Sequence, residues 1–411
     1  MRVAKMIKLG MMGGVPYYRK ILNLFGNSII QYLPGSESAG SVAIDISGNG
    51  LNGSYAAGVI LGQPGIGDGR TSSYHSGTSS SLNAISAGLI SKHNGAEGTM
   101  IINSKIPLSN WSDGADGAIF QFAKSDYSLP FNMIESNNQI IFGALGKTYS
   151  LYQFVSINWM QLILTWSNSS DEIIAYFNGS KIGRATGLTA WGANALGKAF
   201  FGGLSASVSL YTGYQQNRIL LNRAITQDEV LKTQLYPIQT RISIIGDSIP
   251  AVYGWPYMIQ DQYGGGHNYI MNHAVAGNSI TGNMATQVAA AANDNANIII
   301  HELGTNDDNN GNMATLQATI EAGIAALKIS NPNAIQYYMG VLPRWTNSGG
   351  GTVVDKSNIR TAQQAACVSQ GITYWDMFTT PVLVAADTSD GLHPIYTGCQ
   401  KLTASVIALL L

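Results

Sequence analysis

Charge is what this chain has least of. Only 11% of its 411 residues are Asp, Glu, Lys or Arg, against an ordinary share of about 25%. A formal net charge of −1 offers no general attraction to nucleic acid or to an anionic membrane, because such binding needs clustered Lys and Arg. Neither is expected as a partner. Cysteine is nearly absent, and Cys367 and Cys399 do not have the C-x-x-C spacing of metal ligands. Two buried free thiols are the plain expectation; a disulfide between the last two helices is the alternative for an exported protein. No run approaches the roughly 20 apolar residues of a membrane-spanning helix. A G-x-S-x-G elbow is also missing, which argues against an α/β-hydrolase fold.

What remains is apolar and neutral-polar. The apolar share is 45%, with 47 glycines, which describes a folded chain with a polar, weakly charged surface rather than a disordered one. The length suits two domains of ordinary size. Residues 241–411 hold six basic and eleven acidic side chains, whereas residues 1–20 carry Arg2, Lys5, Lys8, Arg19 and Lys20 with no acid. That basic head is like the start of a signal peptide, but Lys8 and a Gly-rich run interrupt the apolar stretch that should follow. No cleaved signal is therefore expected, although an extracellular or virion-associated location fits the Gly-, Asn- and Ser-rich surface.

Two periodicities divide the chain. Residues 29–235 read as short strands between Gly, Ser, Asn and Asp clusters, including IIQYL (29–33), TMIINSKI (99–106), GAIFQFA (117–123), QIIFGAL (139–145), MQLILTW (160–166) and EIIAYFNG (172–179). Such spacing predicts an antiparallel β-sandwich, and Asn178-Gly179 is a hairpin signal because both residues tolerate positive φ. After a linker at 236–240, residues 241–411 alternate strand and helix. Strands are predicted at RISIIG (241–246), YIMNHAV (269–275), NIIIHEL (297–303), IQYYMGVL (335–342) and ITYWD (372–376), with helices at 313–330 and 396–410. This pattern predicts a parallel sheet covered on both faces, with ligands beyond the carboxyl ends of the strands. Residues 1–28 form an N-terminal segment in this division.

Four loops at those strand ends carry suggestive residues: Gly246-Asp247-Ser248, Ala276-Gly277-Asn278, Gly304-Thr305-Asn306-Asp307 and Asp390-Gly391-Leu392-His393-Pro394. A serine hydroxyl attacks only when a base removes its proton and donors receive the oxyanion. Asp390 and His393 share one short loop, so the carboxylate can hold one imidazole nitrogen while the other faces Ser248. Backbone N–H groups of Ser248 and Gly277, with the Asn306 amide, are the candidate oxyanion donors. His273 and His301 compete as bases, but each sits in an apolar strand and reads as a satisfied core histidine. Asp307 and Asp308 are candidates for supporting or solvated loop acids.

These four segments resemble the blocks of the SGNH hydrolase family, also called GDSL-type esterases, in order and approximate spacing. The match covers about residues 241–411: GDSI with Ser248 as nucleophile, AVAGNS with Gly277, GTND with Asn306, and DGLHP with Asp390 and His393. The resemblance implies an α/β/α flavodoxin-like three-layer domain that cleaves carboxylic esters through an acyl-enzyme, without a metal. It departs from the family pattern at Ile395-Tyr396, where an asparagine often follows the His-Pro pair. In the first half, AIDISGNGLNGSY (43–55), the stretch 158–183 and the stretch 211–230 are similar to laminin G-like, concanavalin A-like jelly-roll sandwiches. That sandwich serves as binder, adhesive module or spacer. Alternating carboxylates such as E-x-D-x-x-E are missing, so glycoside cleavage, which needs paired acids, is not expected.

Within the sandwich, Asp45, Asn49 and Asn52 could offer oxygens to Ca²⁺ in a Gly-rich loop, and the competing reading is a turn whose side chains bind their own backbone. Trp111, Tyr152 and Trp191 are candidates for stacking on a sugar. Three functions follow: a serine esterase releasing O-acetyl groups from a carbohydrate held by the sandwich, a broad short-chain esterase with a structural sandwich, and an adhesive glycan-binding protein of a phage tail or virion. The loop at 343–357 should shape alcohol specificity. If His393 is the base, activity should fall as the medium becomes acidic enough to protonate imidazole, below roughly pH 6.5. A flat pH–rate profile through that region would remove His393 from the role.

Overall fold

The computed structural model describes residues 16–411 apart from 79, 94, 112–115, 129, 157, 190, 192–194, 204–209, 235–236, 264–266, 347–351 and 380. Arg2, Lys5 and Lys8, the first linker residue and the centre of the 343–357 loop lie outside the described residues. Among those described, the chain forms two eight-stranded antiparallel sheets and one five-stranded parallel sheet.

The first antiparallel sheet runs in the order Ser180–Ala185, Glu172–Phe177, Met160–Ser167, Glu97–Lys105, Thr212–Leu221, Thr71–Ser76, Val59–Pro64, with Ile29–Leu33 also pairing with Thr212–Leu221. Period-2 alternation decides its two faces. On Met160–Ser167, Leu162, Leu164 and Trp166 enter the interior shared with the second sheet, where Phe120, Phe122, Phe131 and Phe142 meet them. Ile163 points the other way, into a separate cluster with Ile101, Tyr176 and Ile219. This outer face is covered by a helix, Tyr17–Phe25, whose Tyr17, Ile21 and Phe25 are buried at four-residue spacing. The sequence reading left this stretch as an N-terminal segment. Arg19 is exposed on the opposite face, whereas Lys20 is half-buried on the flank and its Nζ donates to Gln234 O at 2.7 Å.

The parallel sheet has the order Asn268–Asn272, Thr240–Gly246, Ile298–Glu302, Ile335–Met339, Thr373–Trp375. Strand order 2-1-3-4-5 is that of flavodoxin-like folds, and its switch point falls between the first and third strands of the sequence. Ile242, Ile244, Ile298 and Ile300 face the helices Trp255–Gln262 and Tyr396–Leu410. Ile245 and Ile299 face Ile280–Ala291, Met313–Ser330 and Ser357–Gln370. The strands predicted at 269–275 and 335–342 stop at Asn272 and Met339. Past Asn272 the chain bends under its own side chain, Oδ1 of which accepts the Ala274 N–H at 3.1 Å. Cys367 and Cys399 are free and buried, and they belong to the clusters on opposite sides of this sheet, so no bridge joins the last two helices.

The two units meet edge to edge. Asn178 and Gly179 both take positive φ, +44° and +87°, and the hairpin they close docks on the α/β unit. Gln260 Nε2 donates to Asn178 O at 2.8 Å and to Asn268 O at 2.9 Å; Tyr257 Oη donates to Lys181 O at 3.0 Å; Ile270 N donates to Ser180 Oγ at 2.8 Å. A second strip joins Tyr152 to Tyr253 as a parallel bridge, with Gly254 N donating to Tyr152 O at 2.8 Å. Because Gln260→Ala would strip two carbonyls of one donor group, we expect a stability loss of about 1–3 kcal/mol in denaturant unfolding. A loss below about 0.5 kcal/mol would show that water satisfies those carbonyls equally well.

Candidate active site

Strand Thr240–Gly246 ends in a clamp. Gly246 N donates to Gln287 Oε1 at 2.8 Å, and Gln287 Nε2 returns a bond to Gly246 O at 2.9 Å. The next residue, Asp247, accepts the Ile249 N–H at 3.0 Å and caps the short helix Ser248–Val252. Ser248 therefore opens a helix, where the backbone N–H has no partner within the helix. Its hydroxyl is half-buried at the carboxyl edge of the sheet.

The loop before the last helix is organised by Asp390. Its Oδ1 accepts the backbone N–H groups of Leu392 at 3.0 Å and His393 at 2.8 Å, and Gly391 takes the positive φ, +88°, that this turn requires. Oδ2 is left to accept from His393 Nδ1 at 2.8 Å. His393 Nε2 then lies 2.9 Å from Ser248 Oγ. With Nδ1–H assigned to the carboxylate, Nε2 is the basic nitrogen. Partial burial pulls the Asp390 carboxyl upward, but the hydrogen bonds from His393 and Leu392 outweigh it and hold it below its ordinary value. The carboxylate stays ionised opposite the imidazole.

Tyr253 completes this wall. Its ring stacks on His393, with centroids 5.5 Å apart and planes 18° from parallel. Burial, then the neighbouring Asp390 charge, lift its phenol to about 12, so it stays neutral. The sequence reading missed Tyr253, and no local pattern marks it.

The facing wall comes from two other loops. Gly277 has φ +80° and lies exposed, with open space where a side chain would stand. Asn306 is exposed, and its Nδ2 donates to Asn278 O at 2.8 Å. One N–H of that amide is thereby aimed, and its second remains to be offered. Asp307 is buried and accepts the Ile280 N–H at 2.9 Å, tying this loop to the start of helix Ile280–Ala291. Lys356 Nζ holds Asp307 O at 2.6 Å. Asp308 is exposed and accepts from Asn310 N, within its own turn, at 3.0 Å.

Other candidate residues go elsewhere. His301 is buried, bonded to Gln336 Oε1 at 3.0 Å and stacked on Tyr338; burial pushes its imidazole down to about 4, so it is a neutral core histidine. His273 pairs with Asp294 at 2.7 Å. Asp45 accepts from Tyr32 N, Ser47 N, Ser47 Oγ and Leu51 N at 2.8 to 2.9 Å. Asn52 Oδ1 accepts from Asp45 N, and Asn49 turns its nitrogen inward to Ile29 O and Ile30 O. These are the contacts of the turn reading: the Asp45 and Asn52 oxygens accept from backbone N–H groups of the same loop and of Tyr32. Among the described residues no cluster of three His, Cys, Asp or Glu is placed to hold a metal. Trp111 and Trp191 are core residues, whereas Tyr152 is 41% exposed at the junction.

A hydroxyl, an imidazole and a carboxylate in series, at the carboxyl edge of a doubly wound sheet, can pass a proton from the hydroxyl to the ring. Residues 244–401 match the model of the GDSL-like Lipase/Acylhydrolase family. The second half of the chain thus carries a domain of that family, and the match supports hydrolase activity. No curated protein matches the chain. Among solved structures it is similar to Trypanosoma rangeli sialidase in complex with sialic acid, at 11% identity and a TM-score of 0.41, over 52% of this chain and 36% of that one. It is also similar to the botulinum neurotoxin type G receptor binding domain, at 15% identity and a TM-score of 0.38, over 49% of this chain and 50% of that one. The binding domain of Paraclostridial Mosquitocidal Protein 1 stands at 15% and 0.38, over 50% and 51%. The chain spans between about a third and a half of the length of these proteins.

Proposed function

We propose that this protein is a serine carboxylic-ester hydrolase that releases O-acetyl groups from a carbohydrate, with the sandwich holding or spacing the catalytic unit. The observation that carries the reading is the contact series Ser248 Oγ to His393 Nε2 at 2.9 Å and His393 Nδ1 to Asp390 Oδ2 at 2.8 Å. In this mechanism Nε2 takes the Ser248 proton as Oγ attacks the acyl carbon. The oxyanion is received by the N–H groups of Ser248 and Gly277 and by the free N–H of Asn306. Collapse expels the alcohol, protonated by His393, and leaves an acyl-serine. Water, deprotonated by the same nitrogen, attacks that ester and restores Ser248. Asp390 keeps the ring in its tautomer and stabilises the imidazolium.

The carbohydrate part is supported by a cleft of about 490 Å³ at the junction, within the usual range for small-molecule sites. Tyr149, Lys181 and Arg184 line it from the sandwich; Ala251, Asn272 and Ala274 line it from the α/β unit. Ala251 lies in the same short helix as Ser248, while Ser248, Gly277, Asn306 and His393 lie outside the cleft's lining. Aromatic faces beside amide and cationic donors suit a polyhydroxylated ligand. The extensive hydrogen bonding across the junction also favours the rival reading, a short-chain esterase whose sandwich is structural.

Acetate release from O-acetylated polysaccharides and from small acyl esters, measured side by side, separates the two. Preference for polymer supports the first; indifference to the alcohol supports the second. Ser248→Ala should abolish release from both, and wild-type rates in that variant would sink both. Asn306→Ala should lower kcat about 10²–10³-fold, or about 2.7–4 kcal/mol of transition-state stabilisation, as for a single oxyanion donor. A change below threefold would take Asn306 out of the oxyanion site.

A further inference from the structure

Directly beneath Ser248 lie two carboxyl groups that the mechanism above does not use. Asp247 is fully buried and Glu302 is 1% exposed. They are neighbours because Gly246 and Glu302 stand in register on adjacent parallel strands, so the residue after Gly246 turns over the end of the Glu302 strand. The space is close: a Cβ at Gly246 would meet Glu302 Oε2 at 3.2 Å. Read as two carboxylates, Asp247 Oδ2 and Glu302 Oε2 are both buried without a donor. Two such anions side by side, out of water, would each pay desolvation and repel the other. One proton between them removes both problems.

We propose that Asp247 and Glu302 share a single proton, that the pair carries one negative charge at neutral pH, and that Glu302 is thereby a positioning residue for the turn that presents Ser248. The proton sits on Glu302. Its carboxyl is raised well above the ordinary value by burial and then by the Asp247 charge. Asp247 is raised by burial too, but the Ile249 N–H, which donates to it at 3.0 Å, and Glu302 favour its charged form. Asp247 is then an anion capping the nucleophile helix, accepting from Ile249 N and from the Glu302 O–H. The other titratable groups facing the pair are His393, from the loop before the last helix, and Tyr338, from strand Ile335–Met339. Tyr338 gives its hydroxyl hydrogen to Leu303 O at 3.1 Å, and burial raises its phenol well above the ordinary value, so it adds no charge.

The linkage has a definite sign. A carboxyl whose value is raised on folding binds more protons in the native state, so its contribution to stability falls as pH rises from the unfolded value toward the folded one. The contribution of this pair to wild-type stability should therefore decline with rising pH, and the turn under Ser248 should loosen as the shared proton leaves. Glu302→Gln places an N–H donor where the O–H stood and cannot ionise. We expect it to keep kcat/KM within about threefold of wild type at neutral pH, to leave the acid limb of the pH–rate profile in place and to move its alkaline limb upward. Its melting temperature relative to wild type should rise with pH. Glu302→Ala, which leaves Asp247 without that donor, should lose about tenfold or more in kcat.

A measurement on the wild-type chain needs no variant to fold. With glutamate carboxyls labelled with ¹³C, infrared spectra of the wild type should retain at neutral pH, far above the ~4.3 of free glutamate, the carbonyl stretch of a protonated acid that Glu302→Gln lacks. Absence of that band, or an alkaline limb and melting profile unchanged in Glu302→Gln, would overturn the shared proton. The esterase assignment fails separately, through an active Ser248→Ala variant.

Discussion

One hydrogen bond, between Ser248 and His393, joins side chains 145 residues apart in the chain. The topology of the α/β unit is what brings them together. Parallel strands force each connection to cross a face of the sheet and return, so successive loops collect along one edge. The serine leaves the edge on a short helix, and the histidine returns to it ahead of the last helix. The distance between them is then set by the sheet, not by the loops alone.

Rigidity at this edge comes from polar groups pinned in pairs. Gln287 clamps both backbone groups of Gly246, Asp390 spends one oxygen on two backbone amides before offering the other to His393, and Asp307 ties the Asn306 loop to the Ile280 helix. In each case a side chain with two acceptors or an acceptor and a donor leaves nothing free to rotate. The sandwich contributes through the Tyr152–Tyr253 bridge, which reaches the ring stacked on His393. The two units are thus in mechanical contact beside His393, and the cleft between them lies against the helix that carries Ser248.

Much of this was legible beforehand. Strands such as IIQYL and GAIFQFA match the observed bounds because Gly and polar clusters bracket each apolar run. The helix Met313–Ser330 was equally plain from Leu316, Ile320, Ile324 and Leu327, all of which are buried. The helix Tyr17–Phe25 was overlooked because its basic residues resemble a leader, although Tyr17, Ile21 and Phe25 have helical spacing. Glu302, in the run IIIHEL, is a charge within an apolar strand, and that incongruity was the one local sign of a buried carboxyl.

By itself the sequence determined the class of each half, the loops that gather at the sheet's carboxyl edge, and the pairing of Asp390 with His393, because periodicity and short spacing are properties of neighbouring residues. Only the tertiary structure decided that Tyr253 would lie on the His393 ring, that Glu302 would sit under Asp247, and that the Asp45 oxygens would be taken by backbone. Those contacts are set by strand register, by the docking of one unit on the other and by competition for hydrogen bonds in space. Residue order carries no local trace of them.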